Sequence, residues 1–128
     1  MRGIRHVALR VRDLKRSAEF YAEILGMRVE WQPDAWNLYL TSGEDNLALH
    51  EVETSAHLAS ASELLPGLDH FGFVVSTPDE VDAWARRLEE RGVALHQQPK
   101  THRDGARSIY FRDPDGNLIQ ILYHPPIS

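Results

Sequence analysis

Two nine-residue stretches of the chain resemble each other: Gly3–Val11 (GIRHVALRV) and Gly67–Val75 (GLDHFGFVV). In each stretch apolar residues alternate with other residues, which is the pattern of a β-strand with one buried face. A helix-like segment and then a glycine follow each stretch. Similar segments in the same order predict two copies of one supersecondary unit.

The two helix-like segments carry recognisable end signals. We predict the first helix from about Leu14 to Leu25, because Asp13 can cap its first turn and Gly26 can adopt a left-handed conformation at its end. In the second segment Thr77 and Glu80 form a capping-box pattern. A glycine again follows the last apolar position, as expected at a helix end.

Three strand-like runs follow each helix. They are Met27–Trp31, Trp36–Thr41 and Asn46–Val52 in the first half, and Val93–Gln97, Arg107–Arg112 and Asn117–Tyr123 in the second. One helix for every four strands disfavours a doubly wound parallel sheet. We therefore predict an α+β fold of two βαβββ modules, about residues 1–53 and 67–124, with a linker over 54–66. Modules this small are expected to form a single domain spanning 1–128.

The composition excludes several classes of protein. The 128 residues carry a net charge of −5 and are 42% hydrophobic, which is typical of a soluble globular domain and not of a nucleic-acid binder. No apolar run is long enough for a membrane span, and the N-terminus lacks a signal-peptide pattern, so we expect a cytoplasmic protein. Without cysteine there can be no disulfide, thiol nucleophile or thiolate metal site. The seven histidines are the main candidates for chemistry.

Strand alternation predicts which side chains share a face. In the first and fifth strands His6 and His70 should lie on the face that does not carry the helix, and Gln120 should do so in the last strand. His50 is expected on that face too. A gap-free overlay of the two halves places Leu49 opposite Gln120, so His50 corresponds to Gln120 only if the preceding turn differs by one residue. Imidazoles together with an oxygen ligand suit Zn, Fe(II), Ni or Mn. The alternative for each histidine taken singly is an ordinary hydrogen-bonded side chain.

Three segments carry a resemblance to a known family. Gly3–Gly26, Asp69–Phe73 and Tyr110–Ile119 resemble the opening, the fifth strand and the closing hairpin of the vicinal oxygen chelate superfamily. This superfamily groups glyoxalase I, bleomycin-resistance proteins and extradiol dioxygenases. The resemblance implies that the modules form a cupped mixed sheet with the helices on its outer face. It also implies a homodimer.

The same resemblance implies a set of site residues. The cup would hold one divalent metal ion (Fe, Zn, Ni or Mn) through four side chains: His6, His50, His70 and Gln120. Most metal-using members have glutamate where this chain has Gln120, and a neutral amide is a poorer ligand. Four further side chains are expected to contact a small-molecule substrate: Arg10, Tyr39, Arg107 and Tyr110. No catalytic base is assigned; Glu51 and a metal-bound hydroxide are the only candidates.

Two functions are compatible with these residues. The first is a glyoxalase- or dioxygenase-like metalloprotein whose small oxygen-rich substrate chelates the metal through neighbouring oxygens, acting as a lyase, an isomerase or a dioxygenase. The alternative is a non-catalytic protein that binds a small molecule or drug without a metal, as bleomycin-resistance proteins do. The neutral Gln120 favours the alternative, whereas the paired His6 and His70 favour the metalloprotein.

Overall fold

The computed structural model describes residues 1–52 and 68–128. The chain divides into two compact units, Met1–Leu65 and Pro66–Ser128. The linker that we predicted over 54–66 lies outside the described residues. No helix in the described part of the chain is long and apolar enough to span a membrane.

The first unit is a four-stranded mixed sheet with one helical segment. Its elements are β1 (His6–Val11), α1 (Leu14–Glu19), a π-helical turn (Phe20–Ile24), β2 (Arg28–Trp31), β3 (Asn37–Thr41) and β4 (Asn46–Glu51). The strand order is β1-β4-β3-β2, with β1 parallel to β4 and the other pairs antiparallel. Helix α1 packs against β3 and β4, and the apolar side chains between them form the core.

The second unit repeats this arrangement. Its elements are β5 (Phe71–Val74), α2 (Pro78–Glu90), β6 (Leu95–Thr101), β7 (Arg107–Arg112) and β8 (Leu118–Tyr123). The strand order is β5-β8-β7-β6, with β5 parallel to β8 and the other pairs antiparallel. Helix α2 packs against β6, β7 and β8. The predicted α+β fold of two βαβββ modules is therefore confirmed.

The predicted first helix differs from the observed one in its second half. Asp13 caps α1 as expected, accepting the Arg16 N–H, and Gly26 has a φ of +79°. From Phe20 onward, however, the backbone forms a π-helical turn in which the Leu25 N–H donates to the Phe20 carbonyl at 3.1 Å. Hydrophobic spacing does not distinguish a regular α-helix from one that widens at its end.

The second helix begins as its sequence predicts. The Thr77 side chain accepts the Glu80 N–H while the Glu80 carboxylate accepts the Thr77 N–H, which completes the capping box. The turn before β8 is also as expected. Asp113 accepts the backbone N–H groups of Asp115 and Asn117 at 2.9 and 2.8 Å, so its carboxylate stabilises the turn.

Strand β6 is longer than the sequence predicts. We expected it to end at Gln97, but it continues through Pro99 to Thr101. Proline is tolerated there because β6 lies at the edge of its sheet and one side of its backbone makes no ladder hydrogen bonds. The pairing with β7 shifts register on both sides of Gln97, as at a β-bulge.

An ion pair joins α2 to the sheet of the second unit. Arg107 on β7 donates to both carboxylate oxygens of Asp82 on α2, at 2.9 and 2.7 Å. This hydrogen bonding holds the pKa of Asp82 below its ordinary value of 3.8. Two parallel charge-assisted bonds are more specific than a single contact between exposed charges.

We predict that the Asp82→Asn substitution lowers the free energy of unfolding by about 1 kcal/mol at pH 7. Because the folded-state pKa of Asp82 is depressed, its contribution is present above pH 3.8 and is lost as the pH falls further. The difference between the wild type and the variant should therefore shrink below that pH in urea denaturation. The matched control is Glu89→Gln, which also removes a carboxylate from α2; an equal loss in both variants would contradict the prediction.

Candidate functional site

His6 of the first unit has one imidazole nitrogen engaged by a neighbouring strand. It is the first residue of β1, and its register partner on β4 is Asn46. The His6 Nδ1 atom lies 2.7 Å from Asn46 Oδ1, and Asn46 Nδ2 donates to Glu30 Oε2 at 2.7 Å. The imidazole is exposed. A hydrogen bond at Nδ1 leaves Nε2 as the nitrogen that could bind a metal.

His50 has the same kind of partner on the next strand. Its Nδ1 atom lies 2.6 Å from Asn37 Oδ1, and Asn37 Nδ2 donates to both carboxylate oxygens of Asp34 at 2.9 Å. The pKa of Asp34 is lowered below 3.8, chiefly by the hydrogen bond from Asn37 and then by that from the Trp36 backbone. The carboxylate is therefore ionised at neutral pH and acts only as an acceptor.

One aromatic ring lies beside His50, and a second ring stacks on the first. The Tyr39 ring lies edge-on to the His50 imidazole at 6.0 Å between centroids, and the Trp31 ring stacks on Tyr39 at 5.2 Å. Trp31 is 60% exposed. Arg10 is also exposed and is the register partner of His50 on β1. Arg10 and Tyr39 thus lie on the face that the sequence predicts for them.

The strand register separates His6 from His50. His6 aligns with Asn46 and Arg10 aligns with His50, so the two histidines are four positions apart along the β1/β4 pair. At about 3.3 Å per residue this is about 13 Å. Such a distance disfavours one ion bound by both imidazoles.

The register also identifies the residue of β4 that is equivalent to Gln120. Gln120 pairs with Gly72 and Tyr110, whereas Ala48 pairs with Ala8 and Tyr39. The equivalent of Gln120 is therefore Ala48 and not His50. The gap-free overlay, which places Leu49 opposite Gln120, is therefore displaced by one residue, because Tyr39 and Ala48 are nine residues apart and Tyr110 and Gln120 are ten. A match of His50 with Gln120 would need a displacement in the opposite direction.

In the second unit, His70 and Tyr110 form one group. His70 directly precedes β5, and its Nδ1 atom lies 2.6 Å from Asp69 Oδ2. The imidazole lies edge-on to the Tyr110 ring at 5.2 Å between centroids. Gln120 Nε2 donates to the Tyr110 hydroxyl at 2.9 Å. The amide oxygen of Gln120 is the atom that remains as an oxygen ligand.

Gly72 makes room for Gln120. A Cβ atom at Gly72 would lie 3.2 Å from both the Cβ and the backbone oxygen of Gln120, and 3.4 Å from its Oε1. The two 3.2 Å distances are tighter than ordinary van der Waals contact, so Gln120 would have to shift by a few tenths of an ångström to accept a larger residue. Glycine is favoured here by this close approach and not by the backbone conformation, since its φ is not in the left-handed region.

A pocket of about 390 Å³ opens beside this group. It is lined by Asp69, His70, His96, Gln97, Tyr110 and Leu118. The sequence alone predicts no role for Asp69, His96 or Gln97. For Asp69, the sequence signal is its position next to His70. The orientation of Gln97 depends on the register shifts on both sides of it, which the sequence does not reveal.

Two residues considered from the sequence lie on the helix side of their sheets. Arg107 is bound to Asp82 of α2, so its guanidinium is not on the face of Tyr110 and it is dropped from the substrate-binding set. Glu51 accepts the Leu14 N–H at 3.0 Å and so stabilises the start of α1 instead of serving as a base. Each residue is two positions along its strand from a buried core residue, Leu49 for Glu51 and Ile109 for Arg107, so its side chain points to the same face as the core.

Comparison with known proteins gives the family. The sequence profile of the Glyoxalase/Bleomycin resistance protein/Dioxygenase superfamily matches residues 3–121. The chain belongs to this superfamily. The resemblance inferred from the sequence is therefore confirmed.

Similar members of the superfamily include two curated enzymes. The chain is 31% identical to the glutathione transferase FosA of Serratia marcescens, over 94% of this chain and 80% of that protein. It is also 31% identical to the metallothiol transferase FosB of Staphylococcus haemolyticus, over 94% of this chain and 83% of that protein. The crystal structure of a lactoylglutathione lyase from Agrobacterium tumefaciens has a TM-score of 0.79 at 24% identity, covering 100% of this chain and 98% of that one. At this identity the last comparison shows the fold alone.

The donor atoms suit the divalent metal that membership of the superfamily implies. His6 and His70 each have Nδ1 bound to an oxygen atom, which leaves Nε2, and Gln120 has its Oε1. An imidazole nitrogen and an amide oxygen are both acceptable donor atoms for Zn, Fe(II), Ni or Mn. Within the described ranges, no group of three or more histidine and carboxylate side chains is arranged to hold an ion.

We predict that Tyr110 titrates above pH 10. Burial raises the pKa of its phenol above the ordinary value of 10.0, and the negative charge of Asp69 raises it further. Ultraviolet difference titration of the wild type against Tyr110→Phe should isolate this ionisation, and Asp69→Asn should lower its midpoint. A midpoint at or below 10, or one that does not respond to Asp69→Asn, would contradict this environment.

Proposed function

We propose that this protein is a metal-dependent enzyme acting on a small oxygen-rich substrate that chelates the ion through neighbouring oxygens. The observation that carries the proposal is shared by His6 and His70. His6 is the first residue of β1 and His70 directly precedes β5, and each has Nδ1 engaged by a side-chain oxygen. This is the arrangement by which proteins orient a metal-binding histidine.

The proposed ligands are His6, His70 and Gln120, and the ion is Zn, Fe, Ni or Mn. His50 is proposed as a substrate contact instead of a ligand, because it lies about 13 Å along the strands from His6. With no carboxylate in this set, the charge of the ion is not neutralised by the protein. An anionic substrate would supply that charge, so metal and substrate binding should reinforce each other.

A bound divalent ion would supply Lewis-acid polarisation of the substrate oxygens. The chain's own residues orient the substrate. Because the Tyr110 hydroxyl accepts from Gln120, its proton can be donated to a substrate oxygen, and its raised pKa keeps that proton in place at neutral pH. Arg10 and Tyr39 are proposed to contact the substrate beside His50, with Arg10 pairing with an anionic group.

Among reaction classes, the two transferases compared above favour group transfer. Both carry names of transferases that use a thiol, and one name includes the metal. This chain has no cysteine, so a thiol would have to come from a second substrate. We therefore propose transfer from an external thiol ahead of the lyase, isomerase and dioxygenase reactions considered from the sequence.

The homodimer is proposed on the family resemblance, and the location and the domain organisation are proposed from the sequence. We propose a cytoplasmic homodimer in which each chain is a single domain over residues 1–128. Sedimentation of a 14.6 kDa species at micromolar concentration would contradict the dimer.

We predict that protein purified without chelator contains a divalent metal or takes one up stoichiometrically. His6→Ala and His70→Ala should each abolish stoichiometric uptake, because each removes an imidazole ligand. Gln120→Glu should raise the affinity about tenfold, or about 1.4 kcal/mol, because a carboxylate adds a negative charge to the set. Elemental analysis and Zn²⁺ titration measure these effects, and His124→Ala is the matched control.

The alternative function has a distinct outcome. If the protein neither contains nor takes up Zn, Fe, Ni or Mn, yet binds a small molecule tightly in EDTA, it is a metal-free binding protein of the bleomycin-resistance kind. In that case the His6→Ala and His70→Ala variants would bind the ligand with the same affinity whether or not metal is added.

A further inference from the structure

The first unit contains two hydrogen-bonded chains of the same composition. The first relay is Glu30–Asn46–His6, and the second relay is Asp34–Asn37–His50. In each relay a carboxylate accepts from an asparagine amide, and the asparagine oxygen faces the Nδ1 atom of a histidine. The contacts to Nδ1 are 2.7 and 2.6 Å long.

The chemistry of the carboxylate sets the direction of each relay. An ionised carboxylate can only accept hydrogen bonds, so the asparagine must turn its NH₂ group toward it. The asparagine oxygen is then the atom that faces the histidine, and it too can only accept. The bond to the imidazole can form only if Nδ1 carries the proton, which leaves Nε2 with its lone pair.

The relays cross the sheet between strands and loops that are distant in sequence. Glu30 on β2 is 16 residues from Asn46, and Asn46 is 40 residues from His6. Glu30, Asp34 and His6 are exposed. Exposed polar contacts contribute little to stability, so the relays are not explained by a need to hold the fold together.

We propose that Glu30 and Asp34 are positioning residues that act through Asn46 and Asn37 to hold His6 and His50 in the tautomer with the proton on Nδ1. The consequence that His6 Nε2 is available to bind a metal ion rests on the proposed function. The tautomer of His6 and His50 follows from the hydrogen-bond chains alone and is independent of the proposed function. The second relay then presents His50 Nε2 as an acceptor for a substrate O–H or N–H group.

The direct test is the tautomer of each histidine in the metal-free full chain. Long-range ¹H–¹⁵N correlation spectra at about pH 8, where an ordinary imidazole is neutral, distinguish the two ring nitrogens. His6 and His50 should have the proton on Nδ1 in the wild type. Glu30→Ala should release this preference at His6 only, and Asp34→Ala at His50 only, while the His124 signals stay unchanged. A proton on Nε2 of His6 or His50 in the wild type would overturn the proposal.

A rescue variant separates positioning from a general structural effect. Asn46→Asp places an acceptor-only group beside His6, so it should restore the Nδ1–H tautomer in the Glu30→Ala background. Asn46→Leu, which has a similar size and no acceptor, should not restore it. Equal behaviour of Asp and Leu at position 46 would show that the relay does not set the tautomer.

Zn²⁺ titration then tests the consequence for the metal. Glu30→Ala should weaken Zn²⁺ binding about 10- to 100-fold, the usual effect of losing a partner of a ligating histidine. Asp34→Ala should leave it unchanged, since His50 is not in the proposed ligand set. Equal weakening by both variants would overturn the separate roles of the relays. If the tautomers are as stated but the wild type takes up none of Zn, Fe, Ni and Mn, the proposed function fails and the relays stand.

Discussion

The parallel pairing of the first and last strands of each unit is the constraint on which the candidate site depends. Between β1 and β4 it places Asn46 beside His6, and between β5 and β8 it places Gln120 beside Gly72. Because directly paired residues point to the same face, each pairing gives one face to the helix and collects polar side chains on the other. The alternation of side chains along the strands is therefore enough to separate the core residues of each unit from its candidate site residues.

A carboxylate lies one or two hydrogen bonds behind each of the two candidate histidine ligands. Asp69 contacts His70 directly, while Glu30 reaches His6 through Asn46. None of the three proposed ligands is itself charged. In the proposed metal site these carboxylates would orient the histidine ligands and raise their basicity without occupying coordination positions. With such a neutral ligand set, an anionic substrate would have to offset the positive charge of the ion. The neutral Gln120 therefore favours an anionic substrate.

The sequence predicts the fold well because its signals are local. Strand alternation in Gly3–Val11 and the capping box at Thr77 each depend on residues within one turn or one strand, and the structure contains both. The π-helical turn after Glu19 and the pairing of Arg107 with Asp82 could not be predicted in this way. The first depends on backbone hydrogen bonding that side-chain spacing does not reveal. The second depends on which helix lies over β7, and so on the tertiary structure.

The difference between the two hairpins has a wider consequence. The turn before β8, Asp113–Asn117, is one residue longer than the turn before β4. The strands on both sides nevertheless keep the same register, so Ala48 and Gln120 occupy equivalent positions beside Ala8 and Gly72. The turn therefore absorbs the extra residue without moving the side chains of the site. Duplicated modules of this kind can change the length of their loops and the residues of their polar faces independently of each other.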